Sequence, residues 1–255
     1  NNLIGSIPNS LGNLAHIEWL SFSMNKLNGN LPSSIGNLRN LKDLWLWGNE
    51  LSGYIPESIC NLTKLEVLSL GGNDFIGTLP ANLGNLKYLT DLSLWSNQLS
   101  GVFPRCVVNL TSLESLDLSG NDFTDVIPYD IRLLTKLVEL DLSGNKLSSS
   151  IPSSLGNLTL LESIVLSDNQ LSGGIPTSFQ NLSNLRKLDI SNNQLNQSIN
   201  TIVCKLSNIE YFDLSHNQIG GTIPTNIGNM SNTQYLYLNN NKLTGSVPES
   251  IGNML

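Results

Sequence analysis

The sequence is short of charge, aromatics, histidine and cysteine, and each shortage removes a class of function. Charged residues make up 13% of the 255 positions, about half of the ~25% usual in a soluble domain. The balance is acidic, with 13 Lys and Arg against 20 Asp and Glu and a formal charge of −7. Nucleic-acid binding needs a basic face and is excluded. The only two histidines, His16 and His216, lie many repeats apart and cannot share a metal. His216 lies three residues from Asp213, but no partnered serine nucleophile accompanies them. No P-loop or dinucleotide fingerprint is present, so catalytic, metal and cofactor sites are all expected to be absent. No apolar run approaches the ~18 residues of a membrane span. Disorder is excluded as well, because the 40% of apolar residues recur evenly along the chain.

Repetition is what the sequence has in abundance. The motif Asn-x-Leu-x-Gly-x-Ile-Pro spans Asn1 to Pro8 and recurs from Asn25, Asn49 and Asn73. The leading asparagine continues at Asn97, Asn121, Asn145, Asn169, Asn193, Asn217 and Asn241, every step being 24 residues. All ten prolines fall at one phase, from Pro8 to Pro248, and only Asn200 interrupts that column. Within a unit, Leu68 and Leu70 are two apart and share one face of a short strand, with Val67, Ser69 and Gly71 on the other. Asn73 can donate and accept where the chain turns inward, and a column of such residues predicts a hydrogen-bonded ladder. Gly77 permits the next corner, and Leu79-Pro80 begins a second extended piece. Ile59 to Leu65 is expected to return as a short helix or 3₁₀ turn. Such a unit cannot bury its own leucines, so neighbours must stack: a solenoid with a parallel sheet on its inner face.

The Leu-x-x-Leu-x-Leu-x-x-Asn stretches, such as Leu113 to Asn121, followed by Leu/Phe-x-Gly-x-Ile-Pro, resemble the plant extracellular type of the leucine-rich repeat family. The resemblance covers the whole chain. It implies an α/β solenoid: a right-handed superhelix of 24-residue repeats, with a parallel sheet on the concave face, a short second sheet, and 3₁₀ or short helices on the convex side. We expect one domain over 1–255, about ten repeats without caps, from a longer chain. Asp125, Ser149 and Gln197 depart from the corner glycine, Thr233 from an inward leucine, and Asn200 from proline.

Binding is expected on exposed strand positions, because the rest of each repeat is committed to stacking. All four tryptophans, Trp19, Trp45, Trp47 and Trp95, fall on such positions, where exposed aromatics make binding hot spots. Trp47, Gly71 and Trp95 share a phase, so two rings are expected to flank a gap floored by Gly71, with Asp43 and Asp91 near its other end. Asp117, Asp141, Asp189 and Asp213 share another phase, read either as solvated repeat filler or as a cation-favouring surface. Tyr211, Tyr235 and Tyr237 add aromatic area. Sequons at Asn61, Asn109, Asn157, Asn181, Asn196 and Asn229 point to N-glycosylation and an extracellular or cell-surface location. Cys60 and Cys204 lie six repeats apart, and Cys106 lies roughly 10 Å from Cys60 at the strand spacing. That exceeds the ~7 Å a disulfide permits, so three unpaired buried thiols are expected.

The resemblance implies a non-catalytic recognition module, as in ectodomains of receptor kinases or receptor-like proteins, taking a peptide, glycan or protein partner. Two alternatives are a secreted inhibitor of cell-wall-degrading enzymes, resembling polygalacturonase-inhibiting proteins, and a structural or ice-binding solenoid. The Trp47, Gly71, Trp95 alternation argues against the uniform column that ice binding needs. Some relatives capture a peptide carboxylate with an Arg-x-Arg pair and others bind steroids through an inserted island. The only arginines, Arg39, Arg105, Arg132 and Arg186, form no such pair, and no island breaks the register.

Overall fold

A computed structural model describes residues 1–254. It divides into two compact units, Asn1–Phe123 and a second beginning at Thr124. In the first unit, strands Trp19–Ser21, Asp43–Trp45, Val67–Ser69, Asp91–Ser93 and Ser115–Asp117 lie side by side in a parallel sheet. Their register is one repeat per strand, with Leu20 opposite Leu44 and Leu44 opposite Leu68. A second parallel sheet is built from Ile4–Ser6, Lys26–Asn30, Glu50–Tyr54, Asp74–Gly77 and Gln98–Val102. The other unit repeats the plan. Glu139–Asp141, Ser163–Val165, Lys187–Asp189, Tyr211–Asp213 and Tyr235–Tyr237 form its first sheet.

Strand and turn are short because each carries only two inward leucines before the asparagine ends it. Leu68 and Leu70 are wholly buried, as are their counterparts Leu44, Leu46, Leu92 and Leu94. Each such side chain contributes roughly 1.5–3 kcal/mol by leaving water. The return segments are 3₁₀ helices of a single turn or little more, such as Glu57–Asn61 after Pro56. Proline suits that place, since its fixed φ starts the turn and its missing N–H would have had no partner. The turn closes where the Leu62 N–H donates to the Ile59 carbonyl three residues back.

The asparagine column bonds backbone rather than other asparagines. Asn73 Oδ1 accepts the Leu51 N–H at 3.0 Å, while its Nδ2 donates to the carbonyls of Leu46, Leu70 and Gly71. Asn97, Asn121, Asn169, Asn193 and Asn217 make the same set. Each therefore ties the two sheets of its unit together.

The departures from the motif have unequal consequences. Asp125 and Ser149 accept the glycine's left-handed backbone, at φ 71° and 68°. Thr233 stays buried and gives its hydroxyl to the Ile209 carbonyl at 3.1 Å, so the lost leucine leaves no orphan polar group. Gln197 does not take the corner conformation, and there the second sheet stops. Its last strand is Gln194–Leu195, and Gly220–Thr222 pairs separately with Lys242–Thr244. An open groove of about 830 Å³ lies beside this break, lined in part by Tyr129, Gly174, Gln197 and Asn200. The motif departures at Gln197 and Asn200 mark the place of this groove, but not its size.

Candidate functional site

The face of the first sheet presents the residues that stacking leaves free. In the first unit, Trp45, Trp47 and Trp95 are half-buried on it. The expected slot between Trp47 and Trp95 is closed. A Cβ on Gly71 would strike Nε1 and Cδ1 of the Trp95 indole, and one on Gly72 would come within 2.9 Å of its Cη2. Trp95 therefore lies across both glycines, and Gly71 is buried rather than facing solvent. Two consecutive residues without Cβ leave a shallow hollow, and the ring on the next strand fills it because contact with backbone is better than an empty gap. Ser69, also expected to face solvent, is buried too. The indole pavement consists of Trp47, one repeat before the glycines, and Trp95, one repeat after, each just beyond its strand, and Trp95 is the ring that covers the glycines.

Trp19 stands apart from that pavement. It is 60% exposed, with the Lys42 ammonium 5.3 Å from its ring centroid. Lys42 pairs with Glu18 at 2.7 Å, which raises its pKa. Burial pushes the Asp43 carboxyl up, Glu66 adds to that, and the neighbouring Trp19 indole opposes it. Asp91 accepts the Thr90 hydroxyl at 2.7 Å. Val67 separates Asp43 from Asp91 in the strand register.

The aspartate column is structural in part. Asp117 Oδ1 accepts both the N–H and the hydroxyl of Ser119, at 2.9 and 2.6 Å. Asp141 does the same with Ser143, and Asp189 with Ser191. Asp213 Oδ1 takes the Ser215 N–H at 2.8 Å, and its Oδ2 takes the Tyr211 hydroxyl at 3.3 Å. Leu-Asp-Leu-Ser thus reads as a brace that closes the end of each strand, and one oxygen of each carboxylate is spent on it. Tyr211 gathers the C-terminal aromatics, with centroids 5.8 Å from Tyr235 and 5.6 Å from Tyr237. Burial and the Asp189 and Asp213 carboxylates push its phenol up to about 12.

All six sequon asparagines are exposed. Asn61, Asn109, Asn157, Asn181 and Asn229 each end a 3₁₀ helix, and Asn196 follows directly on the strand Gln194–Leu195. The cysteines are all free, but only Cys204 is buried, while Cys60 and Cys106 are half-buried. Cys60 and Cys204 share a phase, so the neighbouring repeats and not the position in the turn decide which thiol is covered. Burial still pushes Cys60 and Cys204 up to about 11, with Glu57 adding to the rise at Cys60. At pH 8 such a thiol holds about a hundredfold less thiolate than one at 9.0. Iodoacetamide at pH 8 should therefore label Cys60 and Cys204 of the folded chain at least tens of times more slowly than in urea. Equal rates would place both thiols at their ordinary pKa.

Stacked parallel strands, an asparagine ladder and 3₁₀ returns define a leucine-rich repeat solenoid. Residues 87–147, 135–195 and 159–219 match the family model described as leucine rich repeat, residues 5–101 the leucine-rich repeat region, and residues 232–254 a further leucine rich repeat model. The chain belongs to the leucine-rich repeat family. No curated protein matches it. Among solved structures it is similar to the plant peptide hormone receptor RGFR1 in complex with RGF2, at 34% identity and TM-score 0.84, over 100% of this chain and 44% of that one. It is similar to the Arabidopsis receptor kinase HAESA in complex with the peptide hormone IDA and the co-receptor SERK1, at 34% identity and TM-score 0.83, over 100% of this chain and 47% of that one. A plant ice-binding protein matches at 29% identity and TM-score 0.80, over 90% of this chain and 74% of that one. The chain thus spans less than half the length of the receptor chains it matches.

Proposed function

We propose that this chain is a non-catalytic recognition segment of a plant-type extracellular receptor, binding a peptide or protein on the face of its first sheet. The observation that carries this reading is the pavement of Trp47 and Trp95, which keeps two indoles half-exposed on a rigid backbone. Trp95 covers Gly71 and Gly72, yet both indoles stay only half-buried, outside the core that holds Leu46 and Leu94. Rigid, amphipathic rings bind at low entropic cost, which is why they dominate hot spots. The likeness to two receptors bound to peptide hormones supports the same reading. The six exposed sequons support an extracellular site and glycosylation there, and no helix among the described residues is long and apolar enough to cross a membrane.

The likeness to an ice-binding protein supports a second reading. That activity rests on a regular polar array, and the indoles interrupt such an array on this face. Thermal hysteresis of the chain measures it directly. For recognition, the test is a screen of peptides and candidate ectodomains, followed by Trp47→Ala and Trp95→Ala. Each should weaken a genuine ligand by about 30-fold or more, the ~2 kcal/mol of a hot spot. A ligand held with unchanged affinity by both variants would move the site off the pavement.

A further inference from the structure

The strand register of the second unit assembles a second aromatic site. Lys187, Tyr211 and Tyr235 stand opposite one another on three adjacent strands, and so do Asp189, Asp213 and Tyr237. The Tyr211 ring packs tilted against both Tyr235 and Tyr237, at 42° and 49°. Tyr235 and Tyr237 nevertheless remain 51% and 39% exposed, whereas Asp213 is only 8% exposed. Carboxylates thus underlie an open aromatic surface. Buried carboxylates at the hydroxyl end of an aromatic cluster make a place where a cation is favoured twice, by charge and by the ring quadrupole.

The molecule already tests this preference on itself. The Lys187 ammonium sits 5.5 Å from the Tyr211 ring centroid, and its charge acts on Asp189. Lys187 approaches from the strand on one side of Tyr211, while Tyr235 lies on the strand at the other side. The internal cation therefore leaves the Tyr235 and Tyr237 side open. The same negative field keeps the Tyr211 phenol protonated, after the larger effect of its burial.

We propose that Tyr211, Tyr235 and Tyr237, with Asp189 and Asp213, form a subsite for an arginine side chain of a polypeptide partner; this rests on the first-sheet face being the recognition surface. Arginine fits better than lysine, because a planar guanidinium stacks on a phenol ring while its N–H fork reaches a carboxylate. One oxygen of Asp189 is held by Ser191, so the fork has the rest of that carboxylate to address.

The probe is an acetylated and amidated Gly-Gly-Arg-Gly-Gly peptide, titrated against the whole chain and followed by tyrosine ring signals in NMR. Its partner probe carries citrulline, which keeps the shape and loses the charge. Arginine should bind about tenfold more tightly than citrulline. Tyr235→Leu should remove most of that difference, with circular dichroism confirming the fold. Lys187→Gln should tighten the arginine probe several-fold by freeing the Tyr211 face, while Lys205→Gln, an equal change of charge on a 3₁₀ turn, should not. Equal binding of arginine and citrulline overturns the cation subsite and leaves a stacking surface for neutral groups such as sugars. No effect of Lys187→Gln overturns it as well. The pavement reading is judged separately by Trp47→Ala and Trp95→Ala: if those weaken a ligand while the arginine probe fails, only the subsite falls.

Discussion

Asn121→Leu should lower the stability of the first unit by about 3 kcal/mol, because it removes an amide that four backbone groups use. The two side chains share a branched skeleton of four heavy atoms, but the methyls of leucine are bulkier than the amide oxygen and nitrogen, so crowding adds to the loss. The Leu99 N–H loses Asn121 Oδ1, its acceptor at 3.0 Å, in a buried setting where water cannot replace it. The other losses are softer. The Leu94 carbonyl keeps a donor in Asn97 Nδ2, and the Ser119 carbonyl keeps the Ser96 N–H. A single stranded donor costs about 1–3 kcal/mol, and the lost bonds add to it. Neighbouring repeats share each interface, so protection should fall in the preceding repeats of the first unit as well. Urea unfolding and amide exchange read the two effects. Asn25→Leu is the control, since Asn25 is less buried and its Leu3 partner is exposed. Its cost should stay near or below 1 kcal/mol. If the two variants lose the same stability, burial of the ladder is not what makes it matter.

Gly36→Ala should be destabilising by about 1–3 kcal/mol, against the sign that backbone entropy gives. Gly36 lies in the 3₁₀ helix Ser33–Asn37 and does not have a positive φ. Alanine could adopt its backbone freely, and on torsional grounds should stabilise by about 0.4–1 kcal/mol. The neighbouring turn prevents it. A Cβ at Gly36 would strike the Ser58 carbonyl oxygen and come within 2.7 Å of the Ser58 Cβ. Backbone must move, and adjacent repeats must part on the helical side. Gly252 occupies the same phase with nothing within 4 Å of its would-be Cβ. Gly252→Ala should therefore be neutral or slightly stabilising. A melting comparison of the two decides the point: stabilisation by both would mean the turns can slide apart at no cost. The corner glycines, such as Gly77 at φ 79°, serve the backbone, while Gly36 serves close approach.

The placement of strands, ladder and turns was legible in the sequence for a simple reason. A residue's inward or outward direction follows from its position in a period-2 strand, and the 24-residue recurrence of Leu, Asn and Pro fixes that position in every unit. Leu68, Asn73 and Pro80 could be assigned their tasks without coordinates. So could the outward setting of Trp47 and Trp95, and the exposure of Asn61 and its fellow sequons. What direction does not fix is the rotamer, because that depends on the neighbour one repeat away rather than on the residues alongside in sequence. Trp95 turned across Gly71 and Gly72 and closed a slot that phase alone had left open. Asp117 and Asp189 spent an oxygen on the serine two residues on. Gln197 ended a sheet where Asp125 and Ser149 kept one going, because aspartate and serine accepted the left-handed corner and glutamine did not. The sequence determined which residues reach the face of the first sheet. Contacts between repeats decided what shape and charge that face presents.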